Sequence, residues 1–439
     1  MTITAEDLGR AADRRRVWDL RRGRRFQPRL LWLLVGPGIL VMLGENDAPS
    51  MLSYAQTGAQ FGIGFFLPFV VLTFAMAYVV QEMTVRLGAA THRGHAELIF
   101  ERFGAFWGWF AMGDLLLGNF LTLITEFIGI RAGLGFFGVP PLPAVASALL
   151  VVALAAVSGR YWTWERLTLL LAVFNLVFVP VALLAHPDLG AAGRALATWS
   201  PLPGGLHPST MLILVADVGA TVTPWMLFFQ QSAVVDKGLT PADVRQGRID
   251  TALGAGLAAV AAIATILATS VLFGHPGSGS LQAAAQFAQA IEPRLGHTAA
   301  ALFALGIFEA GLVAAITIST SSAYAFGEIL GGGHSLYRPL RQAPAFYGVL
   351  LGLAALAAGI VLVPGMPLEF VVLIVNVIAV LAMPPALLLL YLLANDAELM
   401  GRWRNSRLSN VLATTVVVCL LGAGLAFALS VIAPNLFGG

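Results

Sequence analysis

Apolar runs of about 20 residues, the length that crosses the hydrocarbon core of a bilayer, recur along the chain. Short stretches carrying most of the charge separate them. The runs fall at 31–58, 62–85, 105–135, 139–158, 164–186, 209–235, 251–274, 298–330, 344–364, 369–395 and 409–433, which predicts an all-α integral membrane protein with eleven transmembrane helices. Two runs are interrupted. The first contains Gly44-Glu45-Asn46-Asp47-Ala48-Pro49-Ser50. An ionisable side chain at mid-bilayer depth costs about 2.5–3.5 kcal/mol, so consecutive polar residues there must face a water-filled site or a bound ion. Pro49 removes a backbone donor and clashes with the preceding turn, which predicts a broken helix with carbonyls free to bind a cation. The sixth run repeats the device at Gly219-Ala220-Thr221-Val222-Thr223-Pro224-Trp225.

The two prolines enclose five crossings. Five is odd, so a second five-helix unit must enter the membrane in the opposite orientation. The expectation is therefore a single transmembrane domain, 31–433, made of repeat one (31–186), an inverted repeat two (209–395) and an extra helix (409–433). A proline can also merely kink a packing helix. Two prolines at matching repeat positions, one beside a buried acid, favour a binding site at the midplane.

With 58% hydrophobic and 11% charged residues, the 439-residue chain is too apolar for a soluble protein of its size. The net charge of +2 hides an uneven distribution. If the N-terminus is cytoplasmic, only Arg131, Arg194 and Arg294 of the 25 Arg and Lys residues lie outside, which predicts a multi-pass protein of the cell membrane with the C-terminal Pro434–Gly439 outside. The basic segment 1–30, with Arg14-Arg15-Arg16, Arg21, Arg22, Arg24 and Arg25, abuts the first span. It reads as a topology signal, not as a cleavable signal peptide or a nucleic-acid site. The outer loops 187–208 and 275–297 are rich in Gly, Ala and Pro and too short to be domains, and Thr240 is placed to N-cap a helical segment in the inner connection 236–250. The single cysteine, Cys419, excludes an intramolecular disulfide, and the seven histidines show no zinc spacing. No nucleophile–base pair appears, so no enzyme and no cofactor is expected.

At these residues the chain resembles the Nramp family (natural-resistance-associated macrophage proteins), divalent-metal transporters with the leucine-transporter fold. Gly36-Pro37-Gly38-Ile39-Leu40 is similar to the family's opening, and Asp47-Ala48-Pro49-Ser50 stands where the family has Asp-Pro-Gly-Asn. The stretch Gln81 to Glu97, with Arg86-Leu87-Gly88-Ala89-Ala90-Thr91, resembles the second helix and its loop. Thr125-Glu126-Phe127-Ile128-Gly129 resembles the third-helix Ala-Glu-Val-Ile-Gly, and Leu399-Met400-Gly401 with Asn405 the segment before the last helix. The departures are informative. Where the family has Ala-Thr-Val-Met-Pro-His, this chain has Ala220-Thr221-Val222-Thr223-Pro224-Trp225, so a soft thioether becomes the hard hydroxyl of Thr223. Ser50 replaces the asparagine carbonyl, Trp225 the histidine, and Leu123 a third-helix aspartate; the last two positions belong to the family's proton pathway. The pattern looks like the divergent, Nramp-related magnesium transporters.

What the resemblance implies is an all-oxygen site for a hard cation. Asp47 would be the charged ligand, and Ser50, Thr223 and the Ala220 carbonyl neutral ligands, directly or through the waters that magnesium retains. Asn376 occupies the place of a family glutamine that can approach the metal, or makes an interhelical hydrogen bond. Glu126 matches a residue linked to proton movement. It and Glu309 could equally be protonated, hydrogen-bonded core acids. Gln230 and Gln231 read as pathway lining or as polar ties between helices, and Trp225, which has no acceptor, as a gate or packing residue. The role of Glu45 stays open.

The implied function is alternating-access transport of a divalent cation, Mg2+ first and Mn2+ second, with weak or no proton coupling and with the ion and the bilayer as partners. Proton-coupled Mn2+/Fe2+ import is the alternative within the family. A sodium-coupled carrier of a small organic solute is a third reading. The hydroxyl cluster Thr317, Ser319, Thr320, Ser321 and Ser322 would serve it unless those residues only pack helices. That reading calls for glycines at the first break, where this chain has an acid.

Overall fold

The computed structural model describes residues 36–432 apart from 158, 159, 204, 206, 282 and 332, so the segment 1–30 and the C-terminal tail lie outside the described residues. Among the described residues every regular element is helical. The first span is two helices, α1 (Pro37–Glu45) and α2 (Ala48–Phe61). Then follow α3 (Phe66–Thr91), α4 (His95–Phe103), α5 (Ala105–Gly135), α6 (Pro141–Ala156), α7 (Tyr161–Val173) and α8 (Phe178–Leu184). Repeat two begins, after α9 (Leu189–Thr198), with α10 (Pro208–Gly219) and α11 (Pro224–Lys237), and continues through α12 (Val244–Thr269), α13 (Ala284–Leu295), α14 (His297–Leu330), α15 (Pro344–Val361) and α16 (Leu368–Asn395). A short α17 (Ala397–Met400) leads to α18 (Arg407–Ile432).

Among the described residues, nine helices or joined helix pairs are long and apolar enough to cross a membrane. The interrupted α1–α2 span and the 16-residue α6 fall short of that measure. Both breaks form where the sequence places them. At the first, Asp47 is extended (φ −73°, ψ 175°), accepts the Ser50 N–H at 2.9 Å and so caps α2, with Pro49 in the first turn. At the second, Thr223 is extended (φ −120°, ψ 154°) ahead of Pro224, but its side chain makes no cap bond to its own helix.

The apolar helix faces pack at close range because glycines permit it. A Cβ at Gly129 of α5 would stand 2.2 Å from the Ala48 Cβ, and one at Gly254 of α12 would stand 2.7 Å from the Ile39 Cα, so both faces of the first break are held by backbone-close contacts. The N-terminus of α1 has no capping side chain of its own. Asp250 of α12 supplies one from across the bundle, accepting the Gly36 N–H at 2.8 Å and the Gly38 N–H at 2.7 Å.

Two local features differ from the sequence expectation. The segments 187–208 and 275–297 hold short helices: α9 is capped by Asp188, and α13 buries Phe287 and Ile291. The fifth span is not uniformly α-helical; a 3-10 stretch, Phe174–Val177, precedes Pro180, whose ring disfavours a continuous α-turn before it. Thr240 stands at the N-cap position expected of it, ahead of a single turn, Pro241–Asp243, that runs into α12.

Candidate cation site

The two breaks face each other. Thr223 at the start of α11 donates its hydroxyl to Glu45 Oε2 at the end of α1, at 2.8 Å, and Tyr54 of α2 donates to the Ala220 carbonyl at 3.1 Å. The Thr223 hydroxyl is thus diverted from capping its own helix to a carboxylate on the opposing repeat. Glu45, Asp47, Ser50 and Thr223 are all buried, none more than 5% exposed.

Around the first break three carboxyl groups gather. Asp47 holds the Ser50 amide, and Glu126, reaching in from α5, accepts the Ala48 N–H at 3.1 Å with Oε2. With Pro49 carrying no N–H, these two acids satisfy the first donors of α2, where negative charge is also favoured by the helix dipole. Glu126 thus reaches the same helix start that Asp47 caps. The second oxygens are different: Glu45 Oε1 and Glu126 Oε1 are buried without a hydrogen-bond partner. Among the described residues, no ion pair is formed by Glu45, Asp47 or Glu126, and no three His, Cys, Asp or Glu side chains converge as a ready-made metal cage.

The bracing behind the site is polar. Asn46 donates to Asn175 Oδ1 (3.0 Å) and to the Ala258 carbonyl (2.9 Å), and Asn175 donates back to the Asn46 carbonyl (3.2 Å), which pins the turn between α1 and α2 to the fifth and seventh spans. Beyond the break on the α2 side, Asp217 of α10 accepts the hydroxyls of Ser53 and Thr57, both at 2.8 Å, tying α10 to α2. At the far end of α11, Lys237 pairs with Glu165 of α7 at 2.9 Å with both side chains buried, and Tyr161 adds a hydrogen bond to the same carboxylate. Arg86 of α3 binds Asn405 at 2.6 Å and the Trp403 carbonyl at 2.7 Å, joining two of the motif pieces that lie far apart in sequence. His95 in α4 is buried against Gln231, and burial holds its imidazole down at about 4, so it is neutral at physiological pH.

The remaining sequence candidates divide. Trp225 is 1% exposed, packs on Phe229 and lies near Glu45, though its indole N–H completes no hydrogen bond. With Thr223 and Pro224 it lines a narrow cleft that also touches Asn119 of α5 and Val375 of α16. Gln230 is committed at both ends, donating to Thr251 at 2.9 Å and accepting from Thr84 at 3.1 Å, so it ties α3, α11 and α12 together rather than lining a pathway. Ala220 contributes a carbonyl that Tyr54 already contacts. The backbone of α16 passes through Asn376, but that side chain lies outside the described residues. Of the eighth-span hydroxyls, Thr317, Thr320 and Ser322 bond to carbonyls of their own helix and Ser321 to the Trp225 carbonyl, while Ser319 has no partner. That is mostly the packing use of such residues. Glu309 is buried near Asn175, and neither oxygen completes a hydrogen bond. Sequence reasoning left Glu45 without a role; its sole signal was its place two residues before Asp47.

Similarities to known proteins agree with this architecture. The chain is 24% identical over 408 residues to the divalent metal cation transporter MntH of Yersinia enterocolitica, covering 91% of this chain and 95% of that protein. It is 24% identical over 402 residues to MntH of Aeromonas hydrophila, covering 89% and 93%. Its fold matches a mutant of the Eremococcus coleocola manganese transporter (TM-score 0.74, 23% identity, 94% of this chain and 90% of that one). The match to MhsT in complex with L-phenylalanine is looser (TM-score 0.56, 17% identity, 90% and 98%). The architecture is that of the leucine-transporter type, with its first and sixth helices broken. A family model, natural resistance-associated macrophage protein-like, matches residues 38–430, and the chain belongs to that family, Nramp.

Proposed function

We propose that this protein carries divalent metal cations across the cell membrane by alternating access, with Mg2+ as the principal ion and Mn2+ as the second. The observation that carries the reading is the meeting of the two helix breaks through oxygen groups, the Thr223 hydroxyl bonded to the Glu45 carboxylate and the Ala220 carbonyl to Tyr54, with the Asp47 carboxylate at the start of α2. The MntH relatives are divalent metal cation transporters by name, which supports the ion class. The oxygen-only donor set supports the hard ion within it, since a soft thioether ligand would favour transition metals. Asp47 is the charged ligand in this reading, and Ser50, Thr223 and the Ala220 carbonyl act directly or through waters kept by the ion.

The N-terminus faces the cytoplasm and the C-terminus the outside, and the five-helix units 31–186 and 209–395 rock against each other as inverted repeats. The ties at Asp217 and at Lys237–Glu165 lie toward opposite ends of the site and would have to yield in alternation. Transport is weakly coupled or uncoupled to protons, because neither Leu123 nor Trp225 can carry one. A specific observation favours the competing proton-coupled mode: Glu126 reaches the same break as Asp47, accepting the Ala48 N–H beside it. Uptake of Mg2+, Mn2+ and Cd2+ by proteoliposomes containing the purified chain tests the reading. Saturable Mg2+ uptake is expected, and transport of Mn2+ or Cd2+ with no Mg2+ uptake would transfer the assignment to a transition-metal carrier.

A further inference from the structure

We propose that Glu45 is a second anionic group of the transport site, acting on the cation or its retained waters through Oε1. This rests on the transport reading above and adds a residue to it. Three observations carry it. The Glu45 side chain is fully buried, with one oxygen held by the Thr223 hydroxyl and the other without a partner. It sits at the last residue of α1, against the opening of the opposed break, where Thr223 and Trp225 begin α11. Among the described residues, no cation is paired with it or with Asp47 in an ion pair.

Charge decides what such an arrangement suits. Two carboxylates at neighbouring positions repel each other in a medium of low dielectric, and each loses hydration that the protein does not replace. A doubly positive ion between them offsets both costs, and with Glu126 at the same break the site holds no surplus of positive charge. A monovalent ion compensates less of this negative charge, and a zwitterionic solute brings a carboxylate of its own into the repulsion. The hydrogen bond from Thr223 fixes the carboxylate so that the free oxygen is presented rather than free to rotate away. Magnesium, which gives up its waters reluctantly, needs acceptors at the distance of its hydration shell as much as direct ligands. A second carboxylate two residues from the first meets that need.

The test uses the full-length protein, purified, with isothermal titration of Mg2+ and Mg2+ uptake in proteoliposomes for wild type, E45Q, E45D, T223V and D47A. Glutamine keeps an oxygen that can accept from Thr223 while removing the charge, so a residue that only positions Thr223 tolerates E45Q. The expected result is at least a tenfold rise in Kd and KM for Mg2+ in E45Q, partial recovery in E45D, and a smaller loss in T223V, which retains both charges. Metal-free thermal unfolding within a few degrees of wild type shows that E45Q is folded. Mg2+ binding by E45Q within twofold of wild type, while D47A loses it, overturns the role of Glu45 and leaves the transport reading intact. A wild type that binds and transports no divalent cation overturns both.

Discussion

In the proposed reading, Thr223 is the position on which the ion preference turns. Its hydroxyl is a hard donor, already oriented by Glu45 at 2.8 Å. Replacing it with methionine puts a soft sulfur at the opening of α11 and removes the hydrogen bond that orients the carboxylate. Thr223→Met is therefore expected to lower Mg2+ uptake and to raise uptake of Mn2+ or Cd2+ relative to it, by about tenfold in the ratio. Competition uptake in proteoliposomes measures this, and an unchanged Mg2+-to-Cd2+ ratio would remove Thr223 from the site. At this scale the sequence was informative about which residues break the helices, because Pro49 and Pro224 act locally and polar residues in an apolar run are costly wherever they fall. It was silent on the Glu45–Thr223 pair. That contact joins positions 178 residues apart, and only the packing of α1 against α11 decides it.

Among the elements, the joint between α7 and α11 is the clearest structural commitment. Lys237 and Glu165 are both buried and meet at 2.9 Å, with Tyr161 on the same carboxylate and the Trp162 ring 4.9 Å from the Lys237 ammonium. Removing the lysine alone leaves a buried acid without its cation, a loss of about 3–5 kcal/mol. Lys237→Met should lower the thermal unfolding midpoint of the detergent-purified protein by several degrees. The pair Lys237→Met with Glu165→Gln should recover more than half of that loss; equal destabilisation in the single and double variants would mean that the pair does not act as a unit. The sequence revealed the spans well, as α5 and α14 begin and end within a residue of the apolar runs at 105–135 and 298–330. It did not reveal α9 and α13, because helices of 10 and 12 residues, rich in Ala, are too short to carry the hydropathy signal of a span. Nor did it reveal Asp250 capping α1 across the bundle, since a cap supplied in trans leaves no trace in the local sequence.

For the whole molecule, the energetic question is what drives the ion. An inside-negative potential favours entry of a doubly charged cation by about 4.6 kcal/mol per 100 mV, which a cell can exploit without protons. The third-helix position that is acidic in the family is Leu123 here and lies in the core, and Trp225 offers no exchangeable acceptor site. Glu126 remains, held to the Ala48 N–H as a cap of α2. A pH-sensitive dye inside proteoliposomes held at fixed voltage should therefore report no metal-driven acidification beyond that of empty liposomes; acidification that tracks metal uptake would show that protons are carried. The inverted-repeat organisation was legible from two prolines and the parity of the crossings between them. The ties of α10 to α2, through Asp217, Ser53 and Thr57, and of α3 to the segment before α18, through Arg86 and Asn405, were not, because they depend on which helix faces meet.

The central claim is that a divalent cation crosses the membrane through the break at Asp47. Mg2+ flux into proteoliposomes, measured side by side for wild type and Asp47→Ala at equal protein density, tests it most directly. Saturable flux in the wild type that falls to the level of empty liposomes in the variant, with the variant still eluting as a single folded species, is the predicted result. Flux in Asp47→Ala near the wild-type rate would contradict it.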